Sequence, residues 1–505
     1  MKYLLAHDLG TSGNKVTMFS TDGKLITSCV ESYGCHYFND NWAEQDPADW
    51  WRAVAGSTKR ILEKIDPKDV VGVSFSGQMM GCLCIDKNGE PLRPSIIWAD
   101  QRAVKEAAQI SEKIPDDKFY KMIGHRNSAS YGLQKLLWVK NNEPEIYEKT
   151  YKFLNAKDYM VMKLTGEIVT DYSDASGTAA LDINTLEWSR EVIDAAGLDI
   201  AKFPDLKPST YVAGGVTKEA GAETGLIPGT PIVIGGGDGC AATVGAGCVT
   251  SGDIYCVMGS SAWVSFADKE ALFDPGRKTF NWPSFVPGMI NPCGTMQAAG
   301  VSYAWMKDVL CEGEKMLAEM EGRSIYDIIN GRIAESPAGA NKLLYLPYIL
   351  GERSPRWNPN ARGAFVGLNK EHTHNDILRS VVEGVSMNLG VIMNLYRAQG
   401  KHFDEITVIG GGMKSAEWRQ IMADMFDTDV VVPNYLEEAT SMGAAIAAGV
   451  GVGEYADFSA IGKFIKREYI NHPIRKNADK YKKLYPIFDK AYEGLTAAYD
   501  DLASL

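Results

Sequence analysis

A short apolar strand, a turn of small residues and a second strand occur twice in this chain, half its length apart. Residues 3–6 lead into Asp8-Leu9-Gly10-Thr11-Ser12-Gly13, residues 15–19 resume as a strand, and Thr21-Asp22-Gly23-Lys24 turns into residues 25–30. Residues 253–258 lead into Gly259-Ser260-Ser261, followed by residues 263–266 and an Asp268-Lys269 turn. Two copies of one supersecondary unit predict two related halves that face each other. At 505 residues the chain is long enough for at least two cores. Strands at 70–75 and 406–409 alternate with helical stretches such as 377–396, which predicts an α/β architecture. Turn formers crowd residues 206–231, among them Lys207-Pro208-Ser209-Thr210, Gly214-Gly215 and Ile227-Pro228-Gly229, and predict the connection between the halves there. Tyr481, Leu484, Phe488, Tyr492 and Leu495 recur at three- and four-residue steps, the pattern of a helix with one apolar face.

Composition removes several function classes. With 64 acidic against 52 basic residues the formal charge is -12, which opposes attraction to nucleic acid or anionic lipid. No run of apolar residues is long enough to span a membrane, and no signal peptide is expected. The 9 cysteines form no Cys-x-x-Cys pair and are odd in number, so reduced thiols in a cytoplasmic protein are expected rather than a disulfide framework. Cys82 and Cys84 fall on one face of a strand and are read as packing.

Phosphate binding needs several backbone N–H groups at close range, and glycine lets the backbone approach. Three segments that follow apolar strands meet this need: Gly10-Thr11-Ser12-Gly13, Gly259-Ser260-Ser261 and Gly410-Gly411-Gly412. None is a P-loop or a dinucleotide fingerprint, so a different nucleotide cradle is implied. Asp8, just before the first turn, is placed to reach Mg²⁺ beside the phosphates, or else caps the turn. In residues 231–242 an apolar strand runs into Gly235-Gly236-Gly237 and then Asp238, which puts a lone carboxylate at a strand tip. Transfer of a phosphoryl group to an alcohol wants such a carboxylate as base. The plainer reading of Asp238 is an N-cap for the helix that follows.

A sugar facing that base needs polar groups on a wall. Gln78, Met79 and Met80 follow the strand at 70–75, and Trp98, Asp100 and Arg102 follow soon after. Gln78, Asp100 and Arg102 offer hydrogen bonds, and Trp98 offers a face for C–H stacking. The histidines are scattered, and Ser260 and Ser261 lack the partners of a hydrolase triad.

These residues resemble the FGGY carbohydrate kinases, and among them the xylulokinases, from Tyr3 to about Ala448. The most specific piece is the run from Gly363 through Gly367, Asp376 and Ser380 to Glu383, similar to the family's C-terminal signature; Tyr131 to Trp138 resembles the N-terminal one, with Gly132 departing from it. Trp42 to Pro47 with Trp50-Trp51, Asp171 to Thr178, and Gly351-Glu352-Arg353-Ser354-Pro355 are also similar. The resemblance implies two actin-like domains of the ribonuclease H type hinged around a central catalytic cleft, residues 1–245 and 246–505, taking a small sugar and MgATP. It implies Gly10, Thr11, Ser12, Lys15 and Gly259 to Ser261 on the phosphates and Gly410 to Gly412, Ser415 and Trp418 near adenosine. Asp8 and Asp238 would hold metal, Asp238 would be the base, and Gln78 to Met80, Trp98, Asp100, Asp238 and Gly239 would meet the sugar. Xylulokinases carry His at the position of Met80 and Asn at that of Gly239. Both departures remove polar partners for a sugar hydroxyl; D-xylulose is thus a lead rather than a conclusion, with ribulose, erythritol or glycerol, and gluconate as alternatives, and a homodimer is left open. The competing class is an actin-like ATPase switch, which needs no sugar wall.

Overall fold

The repeated hairpins each found a sheet in the computed structural model, which describes Met1–Leu505. The first sheet uses β1 (Tyr3–Leu9), β2 (Gly13–Ser20), β3 (Leu25–Ser32), β4 (Val70–Gly77), β5 (Val212–Gly215) and β6 (Pro231–Gly237) in the order β5-β6-β4-β1-β2-β3. The second uses β7 (Ile254–Met258), β8 (Ala262–Phe266), β9 (Phe280–Pro283), β10 (Ile290–Met296), β11 (Glu405–Ile409), β12 (Asp429–Pro433) and β13 (Arg467–Asn471) in the order β9-β10-β8-β7-β11-β12-β13. In each sheet the strand before the glycine turn pairs antiparallel with the next strand and parallel with a later one, β1 with β2 and β4, β7 with β8 and β11. Both sheets then end in an antiparallel edge strand. This is the duplicated, actin-like α/β arrangement.

The stretch 206–231 does not connect the halves. It holds β5, which closes the edge of the first sheet against β6; turn formers punctuate an edge strand as readily as a linker. The chain leaves the first sheet through the helix that follows β6.

Eight helices matter for the site and its support: α1 (Pro47–Leu62), α2 (Ala156–Thr165), α3 (Tyr172–Ser176), α4 (Asp238–Gly245), α5 (His374–Ala398), α6 (Ala416–Phe426), α7 (Ala439–Gly451) and α8 (Arg475–Ala503). Helix α8 buries Tyr481, Leu484, Phe488 and Tyr492 as its spacing predicts. Thr373 and Asp376 cap α5 reciprocally, and Glu383 accepts from Arg379, Tyr481 and the Gly339 amide. No helix is long and apolar enough to cross a membrane.

Helices α4 and α7 cross between the two sheets. Helix α7, from the second half, buries its apolar residues with Leu4, Ala6 and Phe19 of the first sheet. Helix α4, from the first half, sends Ala242 against Tyr255 and Ile409 of the second. Their backbones touch, because a Cβ on Gly245 would lie 1.8 Å from the Ala439 carbonyl oxygen and one on Gly443 would lie 1.9 Å from that of Ala241. Nothing larger than glycine fits at either position. Gly443→Ala should therefore cost about 1–3 kcal/mol, the scale of overpacking a core, and lower the thermal midpoint. Gly494→Ala, in α8 where an added Cβ meets nothing within 4 Å, should be neutral or gain roughly 0.5–1 kcal/mol. Equal midpoints for the two variants would refute the contact.

Candidate active site

Both hairpin turns carry unused donors. In the first, Gly10 N–H bonds Gly13 O at 3.0 Å. Tyr33 Oη and Gln45 Nε2 donate to the Gly10 and Thr11 carbonyls, both at 2.6 Å. In the second, Gly259 N–H bonds Ser261 O at 3.0 Å, while Ala299 and Gly300 amides hold the Ser260 and Gly259 carbonyls at 3.0 and 2.9 Å. The carbonyls are thus tied back, and the amides of Thr11, Ser12, Ser260 and Ser261 have no protein acceptor. A cradle of free N–H groups is what a polyphosphate needs.

At the end of β11, Gly410 takes φ 101°, where a side chain would strike the Met258 backbone. Gly411 and Gly412 follow in the open, and Ser415 caps α6 by accepting the Trp418 amide at 3.1 Å. Trp418, expected near adenosine, lies against Gly412 of this turn. It is buried, its indole N–H bonds Ser386 Oγ at 3.0 Å, and its ring stacks on Tyr303. It supports the turn from within the core.

Lys15, expected on the phosphates, crosses to the other half: Nζ donates to the Glu437 carbonyl at 3.0 Å and to Glu438 Oε1 at 3.2 Å. Asp8, beside it on β1, accepts from Ser76 Oγ at 2.7 Å and from Thr440 at the start of α7. Asp8 therefore does not cap its turn.

Asp238 is the first residue of α4 and Gly237 holds the N-cap position, but the Asp238 carboxylate does accept the Gly239 amide of the first turn at 2.7 Å. Each preceding glycine has its own reason. Gly235 has φ 65° and lies under the Phe75 carbonyl, Gly236 leaves room for Phe285, Ser173 and Asp171, and Gly237 leaves room for Met79. Burial, and then the Asp8 charge, push the Asp238 carboxyl up to about 7, and burial raises Asp8 as well. Two facing acids that resist joint ionisation form a donor set suited to a hard divalent cation.

The expected sugar wall is only partly a wall. Gln78 is buried, gives Nε2 to Gln45 Oε1 at 2.7 Å, and leaves its Oε1 without a partner. Met79 packs on Gly237, Met80 has φ 62°, and Trp98 is exposed with Nε1 on Thr11 Oγ1 at 2.8 Å. Asp100 lies behind this surface. Its carboxylate is fully buried and spent on the Ala43 amide at 2.6 Å and on Arg102, whose guanidinium also stacks over Trp42. Gly239, next to the acid, leaves space: an added Cβ would meet nothing within 4 Å.

Sequence reasoning missed Ser76, Thr440, Tyr33 and Gln45. Gln45 lies inside the run Trp42 to Pro47 and Ser76 directly follows the strand expected at 70–75, so both could have been found; Thr440 is brought in only by α7. It also missed the chain from Trp263 Nε1 to Tyr255 Oη at 2.7 Å and on to the Gly239 carbonyl at 3.0 Å.

Residues 3–245 match the N-terminal domain of the FGGY family of carbohydrate kinases, and residues 254–452 match its C-terminal domain. The chain belongs to the FGGY carbohydrate kinases. It is 34% identical over 507 residues to a xylulose kinase of Staphylococcus epidermidis, covering 99% of both proteins. It is 31% identical over 506 residues to a gluconokinase of Bacillus subtilis, covering 99% of this chain and 98% of that one. Among solved structures, a ligand-bound xylulose kinase from Lactobacillus acidophilus superposes with TM-score 0.92 at 28% identity over 99% of this chain and 100% of that one. A gluconate kinase from the same organism matches with the same score and identity over 99% of each. This FGGY kinase is accordingly a sugar phosphotransferase that uses ATP, and the alternative of an ATPase switch without a sugar falls away.

The raised Asp238 carboxyl has a thermodynamic signature. Its folded value lies above its unfolded one, so it costs the ligand-free fold nothing below pH ~4 and progressively more up to pH ~7, with a plateau beyond. Asp238→Asn should thus leave the thermal midpoint unchanged at pH 4 and raise it at pH 8. A gain independent of pH would contradict the assignment.

Proposed function

We propose that this FGGY kinase transfers the γ-phosphoryl group of MgATP to a hydroxyl of D-xylulose, with Asp238 as general base. The observation that carries this reading is the Asp238 carboxyl, poised near neutrality at the tip of β6 and opposed by Asp8, between two turns whose amides are free. A base with such a value matches its operating pH.

On this reading Asp238 orients the attacking hydroxyl and takes its proton, while Gln78 Oε1 accepts from another hydroxyl of the sugar. Met79, Met80 and Trp98 cover the apolar faces and keep water from the base. The turns at Gly10–Ser12 and Gly259–Ser261 hold phosphate oxygens, and Gly410–Gly412 with Ser415 border the nucleoside. Asp8 and Asp238 would hold Mg²⁺, which supplies neutralisation of the charge on the transferring phosphoryl group. Residues 1–245 then carry the sugar, the first phosphate turn and Asp238, and residues 246–505 bind the ATP. We place the enzyme in the cytoplasm, where its unpaired cysteines stay reduced.

A second reading, a six-carbon sugar acid such as gluconate, is favoured by the empty space at Gly239 and by the gluconokinase relatives. A coupled ATP-consumption screen over xylulose, ribulose, glycerol, erythritol and gluconate separates the two, the substrate being the one with the highest kcat/KM. Asp238→Asn should lower kcat by at least ~100-fold, the usual scale of acid–base contributions, with nucleotide affinity nearly unchanged; full turnover would remove Asp238 as base. Gly239→Asn should raise kcat/KM for xylulose over gluconate by about fivefold, the worth of one hydrogen bond. No change in that ratio would discard Gly239 as a selector.

A further inference from the structure

A buried charge cluster lies behind the site with no part in the chemistry described so far. Lys157, without solvent exposure, contacts Asp158 at 2.6 Å, Asp171 at 3.1 Å and Asp174 at 3.3 Å. Asp171 is the N-cap of α3, and its Oδ2 accepts both the Ser173 amide at 2.8 Å and the Ser173 hydroxyl at 2.5 Å. With its O–H donated in a hydrogen bond to Asp171, the hydroxyl oxygen turns a lone pair to the Gly237 amide, which donates to it at 2.8 Å. Gly237 is the residue before Asp238.

The cluster reaches the sugar wall too. Asp158 and Asn155 form the capping box of α2, and Asn155 Oδ1 accepts the Gly81 amide at 2.9 Å, just past Met80. The Lys157 side chain packs against Gly77, just before Gln78. One ammonium therefore braces both walls of the pocket.

Three successive glycines are the least self-determined backbone a chain can offer. Side-chain sterics of their own do not set the direction in which Asp238 leaves β6; the backbone is held on one side by the β4 ladder at Gly236 and Gly237 and on the other by Ser173. We propose that Ser173 is the positioning residue that sets it, clamped to Gly237, oriented by Asp171 and anchored through Lys157. The inference rests on Asp238 being the base. Its physical content is that an error of about 1 Å in a reacting group costs on the order of 100-fold in rate, and that a buried charged network holds such a group more firmly than an isolated hydrogen bond.

Steady-state kinetics on the full chain test it, with the substrate found by the screen. Ser173→Ala should lower kcat roughly 10–100-fold while KM for ATP stays within about twofold, and Ser173→Thr, which keeps the hydroxyl, should recover most of the loss. In the Asp238→Asn background Ser173→Ala should cost nothing more, since both act through one carboxylate. A Ser173→Ala kcat within about twofold of the parent, or an undiminished loss in the Asp238→Asn background, overturns the proposal. Should Ser173→Ala fail to fold, the isosteric Asp171→Asn is read by the same criteria. An active Asp238→Asn enzyme would sink the base assignment itself, whereas an inactive one beside a fully active Ser173→Ala enzyme would sink only the positioning role.

Discussion

The contact on which this architecture depends is the bare backbone crossing of α4 and α7 at Gly245 and Gly443. Each helix belongs by sequence to one half and reaches residues of the other, α7 the first sheet and Ala242 of α4 the second, so the halves are sewn together at their seam. Helix α4 begins with Asp238, and Thr440 in the first turn of α7 bonds Asp8. Both acids are thus held by the two helices that join the halves.

The same economy shows in how the polar groups are used. Carbonyls around the two turns are tied back by Tyr33, Gln45, Ala299 and Gly300, which leaves the amides facing the cleft. The acids are kept near each other at an unfavourable distance from water. Both arrangements are costly in the empty protein, and both suit a polyanion with its cation.

Much of this was legible in the sequence because the signals are local. Strand, glycine turn and strand can be read twice, and Gly235 to Asp238 announce a backbone that bends under close neighbours. Trp418 and Asp100 are buried rather than exposed to the site for a common reason: each adjoins an expected site segment, and sequence proximity does not say which way a side chain points. Thr440 could not be found, since only the long-range docking of α7 delivers it to Asp8. The C-terminal signature, the most specific stretch for assigning the family, turns out to serve the scaffold, with Asp376 capping α5 and Glu383 gathering Arg379 and Tyr481.

Lys15 extends from the first hairpin to a carbonyl and a carboxylate of the opposite half. These two bonds use two of the three donors of the ammonium and leave the third unassigned. The strap between the lobes is therefore also a cation with a donor still to give, and it need not be broken for that donor to be used.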